Sequence, residues 1–252
     1  MEQVIQSNGA RLVGHLARPP AGTRPTAALV LCHGFPPDQP GSAAESGASY
    51  PEFADRLAAE TGLPTLAFNF RGTGRSPGQF SLAGWLDDLA AAIDHVVAVT
   101  GVSGVWLVGT SAGGALSICQ AARDDRVRGV ATLAAPADFG PWAADPEAFL
   151  QRCRVAGVIQ DPAYPPDVQA WAAEARRIRP VDVIAKIPPR PMLLLHGSDD
   201  DVVPVDDGRV LVDAAAGQAD LRVVPATDHG LRHDPRVIAI LLGWLERQAA
   251  AE

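Results

Sequence analysis

The sequence predicts an α/β fold, in which a mostly parallel central sheet is covered by helices on both faces. Three observations carry this prediction. Short apolar runs of strand length alternate with longer segments of helical periodicity. The run Ala27 to Cys32 is apolar at every position, which is typical of a parallel strand buried on both faces. Asn8-Gly9 separates two short apolar segments and predicts a hairpin, so the sheet should be mixed.

The predicted strands are apolar or alternating runs bounded by Gly, Pro and polar residues. In chain order, strands are predicted at Val4 to Gln6, Leu12 to Ala17, Ala27 to Cys32, Leu63 to Phe70, Val105 to Val108, Val127 to Ala134, Met192 to His196 and Leu221 to Val224. The predicted helices have apolar residues three or four positions apart, as in Trp85, Leu89 and Ile93. Helices are predicted at Pro51 to Glu60, Leu82 to Val99, Ala112 to Ala122, Asp206 to Ala216 and Pro235 to Arg247.

Residues 136–191 break this alternation, because the stretch is too long for a single crossover helix. We expect residues 1–252 to form a single domain, with this segment as a small helical, cap-like insertion after the sixth strand. Its aromatic side chains can line a substrate pocket or form a small core of the insertion, and the sequence favours neither: Trp142, Phe149, Tyr164 and Trp171. A second long segment, Phe35 to Tyr50, is rich in Pro, Gly and Ser. Both segments are expected to lie over the edge of the sheet that carries the functional site.

The composition is that of an ordinary globular protein, with 47% hydrophobic and 20% charged residues among 252. The net charge of −8 disfavours binding to nucleic acid or to anionic membranes, because both need clustered Lys and Arg. No apolar run approaches the ~18 residues of a membrane span. The N-terminus has no basic and apolar leader, and the three cysteines have no CxxC spacing. We therefore expect a cytoplasmic protein without a metal site.

The sharpest local motif is Gly109-Thr110-Ser111-Ala112-Gly113, which fits G-x-S-x-G. It directly follows the predicted strand Val105 to Val108 and directly precedes a helix rich in small residues. This setting predicts a nucleophile elbow, in which a strained turn raises the hydroxyl of Ser111 above the sheet. The N-terminus of the following helix favours negative charge that develops near the serine.

A serine nucleophile needs a base, and the base needs an acid that orients it. Three adjacent carboxylates, Asp199, Asp200 and Asp201, follow the seventh predicted strand and are candidates for the acid. His229 follows the last predicted strand and is the candidate base. The chain order of serine, aspartate and histidine is the order associated with a nucleophile elbow in this arrangement of strands and helices.

Four motifs occur in a fixed order along the chain. They are His33-Gly34 after the third strand, Arg71-Gly72-Thr73-Gly74-Arg75-Ser76, the elbow around Ser111, and His196-Gly197-x-x-Asp200-x-x-Val203-Pro204. Together they resemble the α/β-hydrolase superfamily, of the serine esterase (carboxylesterase-like) type, over essentially the whole chain. The resemblance selects Asp200 as the acid and His229 as the base. It also implies an oxyanion hole formed by the backbone N–H groups of Phe35 and Ala112.

The resemblance implies a serine hydrolase that cleaves carboxylic esters of small to medium-sized substrates through an acyl-enzyme on Ser111, with no cofactor and no metal. Thioesterases, peptidases and perhydrolases use the same triad and stay open as alternatives. A non-catalytic ligand-binding protein on the same fold stays open as well. The expected partner is a small-molecule ester, with no nucleic acid and no membrane, and a homo-oligomer is left open.

Several residues compete with these assignments. His33, His95 and His196 are interpreted as packed or hydrogen-bonded side chains without a catalytic role. His233 is the rival base, and we expect it at the start of the next helix. Asp138 follows the sixth strand and is an alternative acid.

Overall fold

In a computed structural model of the chain, which describes residues 1–23 and 25–249, eight strands form one sheet. The strands are β1 (Glu2–Ser7), β2 (Ala10–Ala17), β3 (Ala27–Cys32), β4 (Thr65–Phe68), β5 (Gly104–Thr110), β6 (Val127–Leu133), β7 (Met192–Gly197) and β8 (Asp220–Val224). Their spatial order is β1-β2-β4-β3-β5-β6-β7-β8. β2 is antiparallel to β1 and β4, and the other neighbours are parallel. The predicted fold class is therefore confirmed.

Helices cover both faces of this sheet. They are α1 (Tyr50–Thr61), α2 (Leu82–Thr100), α3 (Ala112–Ala121), α4 (Pro146–Ala156), α5 (Val168–Ala172), α6 (Glu174–Arg177), α7 (Pro180–Val183), α8 (Val205–Ala214) and α9 (Pro235–Ala249). The five predicted helices correspond to α1, α2, α3, α8 and α9, with ends that shift by one or two residues. Within the described ranges, no helix is both long enough and apolar enough to cross a membrane.

Strand β3 shows how the sheet divides the core into two layers. Ala28, Val30 and Cys32 pack with α2 and α3 on one face, and Ala27, Leu29 and Leu31 pack with α1 and α9 on the other. Successive side chains of a strand point to opposite faces, so a run that is apolar at every position is buried on both. The first hairpin turns at Asn8 and Gly9, whose φ angles are 41° and 80°. These left-handed angles explain the Asn-Gly pair.

Strand β4 is shorter than predicted, because the chain leaves the ladder after Phe68. The N–H of Phe70 donates to Nε2 of His33 at 3.2 Å instead of to a strand carbonyl. Strand β5 is longer than predicted and pairs with β3 and β6 up to the turn that carries Ser111. Both differences occur where the strands reach the candidate site, so local apolarity did not set these strand ends.

The segment 136–191 contains α4 to α7 and contributes no strand to the sheet. Its aromatic side chains are not a separate core. The ring of Phe149 stacks on Trp171 at 5.1 Å, and Trp142 lies 5.1 Å from the ring of Phe35. Through Phe35 and Phe80 these rings join the core that α2 forms against the sheet. The insertion is therefore continuous with the main core on that face.

Candidate active site

Ser111 lies in the sharp turn between β5 and α3, with φ 51° and ψ −124°. Its N–H donates to the carbonyl of Leu133 on β6 at 2.8 Å. Its own carbonyl accepts hydrogen bonds from the N–H groups of Gly114 and Ala115 in the first turn of α3, at 2.9 and 3.1 Å. A positive φ at a residue with a side chain costs on the order of 1–3 kcal/mol, and it persists only where surrounding contacts hold it.

Two glycines make this turn sterically feasible. A Cβ on Gly109 would lie 2.5 Å from the carbonyl oxygen of Gly113. A Cβ on Gly113 would collide with the carbonyl oxygens of His33 and Cys32 at the end of β3. The two outer positions of G-x-S-x-G are therefore needed for close packing of β5, α3 and the end of β3.

The loop after β7 places Asp200 against His229. Nδ1 of His229 lies 2.8 Å from Oδ2 and 3.1 Å from Oδ1 of Asp200. Oδ1 also accepts hydrogen bonds from the N–H groups of Val202 and Val203, at 3.0 and 2.8 Å. Burial acts to raise the pKa of Asp200, but the hydrogen bonds from His229 and from this backbone outweigh it and hold the pKa below its ordinary value. The carboxylate is thus kept ionised beside the imidazole.

The alternative acids lie elsewhere. Asp199 and Asp201 are exposed, and Asp199 accepts a hydrogen bond from the hydroxyl of Ser198 at 2.6 Å. Asp138 accepts from the N–H of Gly140 at 2.6 Å and lies 3.7 Å from the guanidinium of Arg179. Among the described residues, Asp200 is the carboxylate that hydrogen-bonds His229.

Ser111 and His229 line one cavity of about 240 Å³ above the carboxyl ends of the strands. Its wall also includes Gly34, Phe35 and Tyr50, so the segment Phe35 to Tyr50 does lie at this site. No residue of the segment 136–191 belongs to the wall of this cavity. In the described part of the chain, the hydroxyl of Ser111 makes no hydrogen bond to His229. Such contacts often become short only in the substrate complex.

Two backbone donors lie next to the serine. Ala112 directly follows Ser111 and opens α3, and Phe35 follows Gly34 at the end of β3. A Cβ on Gly34 would lie 3.0 Å from the Cβ of Ser111, so this backbone passes close to the nucleophile candidate. Within residues 1–23 and 25–249, neither the N–H of Phe35 nor that of Ala112 donates to a protein acceptor. Of these two residues, Phe35 lines the cavity.

His33 and Arg71, which follow the ends of β3 and β4, make polar contacts with buried partners. Nδ1 of His33 lies 2.8 Å from the carbonyl oxygen of Gly34, and burial lowers the pKa of His33 to about 4. The imidazole is therefore neutral, with Nδ1 as donor and Nε2 as acceptor for the N–H of Phe70. Arg71 forms an ion pair with the fully buried carboxylate of Asp88 at 2.6 Å. His33 lines the cavity, and the Arg71 motif contacts His33 through Oγ1 of Thr73, which lies 3.1 Å from Nε2.

Of the other histidines, His196 lies beside the Asp200 and His229 pair, with its Nε2 3.7 Å from Oδ2 of Asp200, whereas no hydrogen bond joins His95 or His233 to either residue in the described part of the chain. His196 donates from Nε2 to the carbonyl of Val203 at 2.9 Å, and His95 contacts the side-chain amide oxygen of Gln3 at 2.9 Å. His233 closes a short 3-10 turn, Leu231–His233, two residues before α9 begins, so its expected place in that helix is wrong. Its ring lies 3.1 Å from Nη2 of Arg232. Among the described residues, no cluster of His, Cys, Asp or Glu is arranged to hold a metal ion.

Tyr50 and Arg232 are cavity residues that the sequence analysis missed. The hydroxyl of Tyr50 donates to Oγ1 of Thr110 at 3.0 Å, and the guanidinium of Arg232 lies 4.6 Å from the centre of the Tyr50 ring. The two residues are 182 positions apart in the sequence. The one available signal was the position of Arg232, three residues after the candidate base.

Comparisons with known proteins agree with this fold. A sequence model of the alpha/beta hydrolase fold matches residues 27–160, and the chain belongs to this family. The uncharacterized protein YfhR of Escherichia coli strain K12 is 27% identical over 224 residues, which cover 88% of this chain and 70% of that protein.

Two solved structures share this fold. An alpha-beta serine hydrolase homologue from Coxiella burnetii is 21% identical, with a TM-score of 0.63 and coverage of 98% of this chain and 96% of that one. Est1E from Butyrivibrio proteoclasticus, solved with ferulic acid bound, is 21% identical, with a TM-score of 0.72 and coverage of 99% and 98%. Both neighbours share the fold, and membership of the alpha/beta hydrolase family supports a hydrolase.

Proposed function

We propose that the protein is a serine hydrolase that cleaves carboxylic esters of small to medium-sized substrates. The observation that carries this proposal is the hydrogen bond of 2.8 Å between His229 and the buried carboxylate of Asp200, in a cavity that His229 shares with the strained Ser111. A nucleophile, a base and an acid that orients the base are the three parts of this chemistry.

In the proposed reaction, Oγ of Ser111 attacks the ester carbonyl and transfers its proton to Nε2 of His229. Asp200 holds the Nδ1 proton and stabilises the imidazolium that forms. The N–H groups of Phe35 and Ala112 donate to the oxyanion of the tetrahedral intermediate. The C–O bond to the alcohol then breaks, and His229 gives its proton to the leaving oxygen. Water, deprotonated by His229, attacks the carbonyl of the acyl-enzyme. The bond between the acyl carbon and Oγ of Ser111 then breaks, and His229 returns the proton to Oγ as the acid leaves.

Ser111→Ala tests this proposal with a matched control. The variant should abolish turnover of p-nitrophenyl acetate and labelling by a fluorophosphonate probe, with an unchanged circular dichroism spectrum. Ser103→Ala removes an exposed hydroxyl at the opposite end of β5 and should leave both signals unchanged. Full turnover by Ser111→Ala would overturn the assignment. A wild-type protein that neither reacts with the probe nor turns over any ester would favour a non-catalytic binding protein.

A panel of ester substrates tests which acyl group the protein prefers. The cavity of about 240 Å³ is below the usual range for drug-sized ligands, so short acyl groups should be preferred. p-Nitrophenyl acetate, butyrate and octanoate test this preference, and methyl ferulate is included because Est1E binds ferulic acid. A thioester and an aminoacyl p-nitroanilide separate esterase from thioesterase and peptidase activity. Higher kcat/KM for either of these would replace the ester assignment.

A further inference from the structure

The cavity that is lined by Ser111 and His229 is also lined by Arg232. Arg232 lies in the short turn Leu231–His233, three residues after the candidate base, and its side chain is half-buried. Among the described residues that line the cavity there is no Asp and no Glu. Across residues 1–23 and 25–249, no carboxylate lies within 4.0 Å of the Arg232 guanidinium, in contrast to the paired arginines Arg56, Arg209 and Arg236.

Arg232 is held in place by aromatic rings and by neutral polar side chains. Its guanidinium lies 4.6 Å from the ring centre of Tyr50 and 6.0 Å from that of Phe53, which are cation–π distances. Nη2 donates to the hydroxyl of Ser49 at 2.8 Å and lies 3.1 Å from Nε2 of His233. The side chain of Tyr50 is a further hydrogen-bond partner of this guanidinium. A guanidinium has five N–H donors, so these three partners leave donors for a ligand that enters the cavity.

The electrostatics of the cavity differ from those of the rest of the protein. The chain carries a net charge of −8, and exposed arginines such as Arg209 and Arg236 pair with neighbouring aspartates. The carboxylate of Asp200, which lies behind His229 and outside the cavity wall, is already bonded to His229. The positive charge of Arg232 lowers the pKa of His233 below its ordinary value. A fixed cation without a counter-ion, next to a nucleophile, is complementary to an anionic ligand group.

We propose that Arg232 forms a carboxylate subsite, so that the preferred substrate is an ester that carries a free carboxylate in addition to the scissile bond. This inference rests on the proposed esterase function and names its substrate class. The planar guanidinium can donate two parallel hydrogen bonds to a carboxylate. A purely structural role, in which Arg232 only covers Tyr50 and Phe53, would give no preference for a charged ester.

Matched ester pairs separate the two roles. On the acyl side, mono(4-nitrophenyl) adipate is compared with its methyl ester. On the alcohol side, 4-acetoxybenzoate is compared with methyl 4-acetoxybenzoate. In the wild type, the charged member of at least one pair should have the higher kcat/KM, and this advantage should shrink as NaCl is added.

Arg232→Met should lower kcat/KM for that charged ester roughly 10- to 100-fold, mainly through KM, since a charge-assisted hydrogen bond is lost. Turnover of the neutral ester should change less than about threefold. Arg232→Lys keeps the charge and should recover part of the loss. Arg209→Met removes an exposed arginine outside the cavity wall and should change neither rate.

The failures of the two proposals are distinguishable. If the neutral ester is turned over but no charged ester is preferred, or if Arg232→Met lowers both members of a pair equally, the carboxylate subsite is overturned and the esterase function stands. If no ester of either pair is turned over and the fluorophosphonate probe does not react, the esterase function itself fails. Retention of the charged-ester preference in Arg232→Met also overturns the subsite.

Discussion

Nδ1 of His229 lies 2.8 Å from Oδ2 of Asp200, while Oδ1 of the same carboxylate accepts two backbone hydrogen bonds from Val202 and Val203. In Asp200→Asn, the amide oxygen should keep these backbone bonds, which turns the NH2 group toward His229. The imidazole then accepts at Nδ1 and carries its proton on Nε2, so that it cannot accept the proton of Ser111. We expect kcat to fall by about 10³- to 10⁴-fold with the fold retained.

The neighbouring carboxylates provide the control for this prediction. Asp199→Asn and Asp201→Asn change exposed side chains that do not contact His229, and each should keep kcat within about twofold of the wild type. A stopped assay with p-nitrophenyl acetate measures all three variants. A larger loss in Asp199→Asn or Asp201→Asn than in Asp200→Asn would transfer the role to that residue.

The backbone conformation of Ser111 predicts that a glycine variant is more stable than an alanine variant at this position. Its φ of 51° favours glycine, whereas alanine would retain the strain of a side chain there. Ser111→Gly should therefore be more stable than Ser111→Ala by about 1 kcal/mol, after the larger unfolded-state entropy of glycine is subtracted. Urea unfolding measures the difference.

Ser117 is the matched control, because it lies in the middle of α3 with helical neighbours. There the order should be reversed, with Ser117→Gly less stable than Ser117→Ala by about 1 kcal/mol. If glycine is the less stable replacement at both positions, the turn at Ser111 stores no strain.

The sequence predicted those parts of the structure that depend on local pattern. The alternation of strands and helices and the position of the turn at Ser111 follow from apolar periodicity and from the two glycines of the motif, and the fold class and family are confirmed. Asp200 was distinguished from its two neighbours only by resemblance, since three adjacent carboxylates look alike in a sequence. The hydrogen bonds from Val202 and Val203 supply the physical difference.

Apolar periodicity and short motifs did not predict the long-range contacts. Arg232 reaches Ser49 across 183 positions, and no periodicity links them. The aromatic residues of the segment 136–191 posed the same problem, because a sequence does not show whether Trp142 faces a pocket or another ring. Its contact with Phe35 places it in the main core. The proposed catalytic roles of Ser111, Asp200 and His229 stay predictions for the experiments above.

The ion pair of Arg71 and Asp88 predicts a large loss of stability. The carboxylate is fully buried and accepts hydrogen bonds from both the side chain and the N–H of Arg71, at 2.6 and 2.9 Å. Asp88→Ala leaves the guanidinium without its partner, so the free energy of unfolding should fall by about 3–5 kcal/mol in urea. Asp206→Ala breaks the exposed pair with Arg209 and should cost less than about 1 kcal/mol. Equal losses would mean that burial of the pair does not matter.

Because His33 is buried and neutral, we expect the protein to lose stability in mild acid. Burial lowers its pKa from 6.5 to about 4, so between these values the unfolded chain binds a proton that the folded chain does not. The free energy of unfolding should therefore fall, by on the order of 2–3 kcal/mol for this group, as the pH is lowered from about 7 to about 4.5. His33→Gln should be less stable at neutral pH but should lose less stability on acidification. Urea unfolding of both proteins at both pH values measures the difference, in which the contributions of His95 and His233 cancel. The same pH dependence in both proteins would contradict a neutral, buried His33.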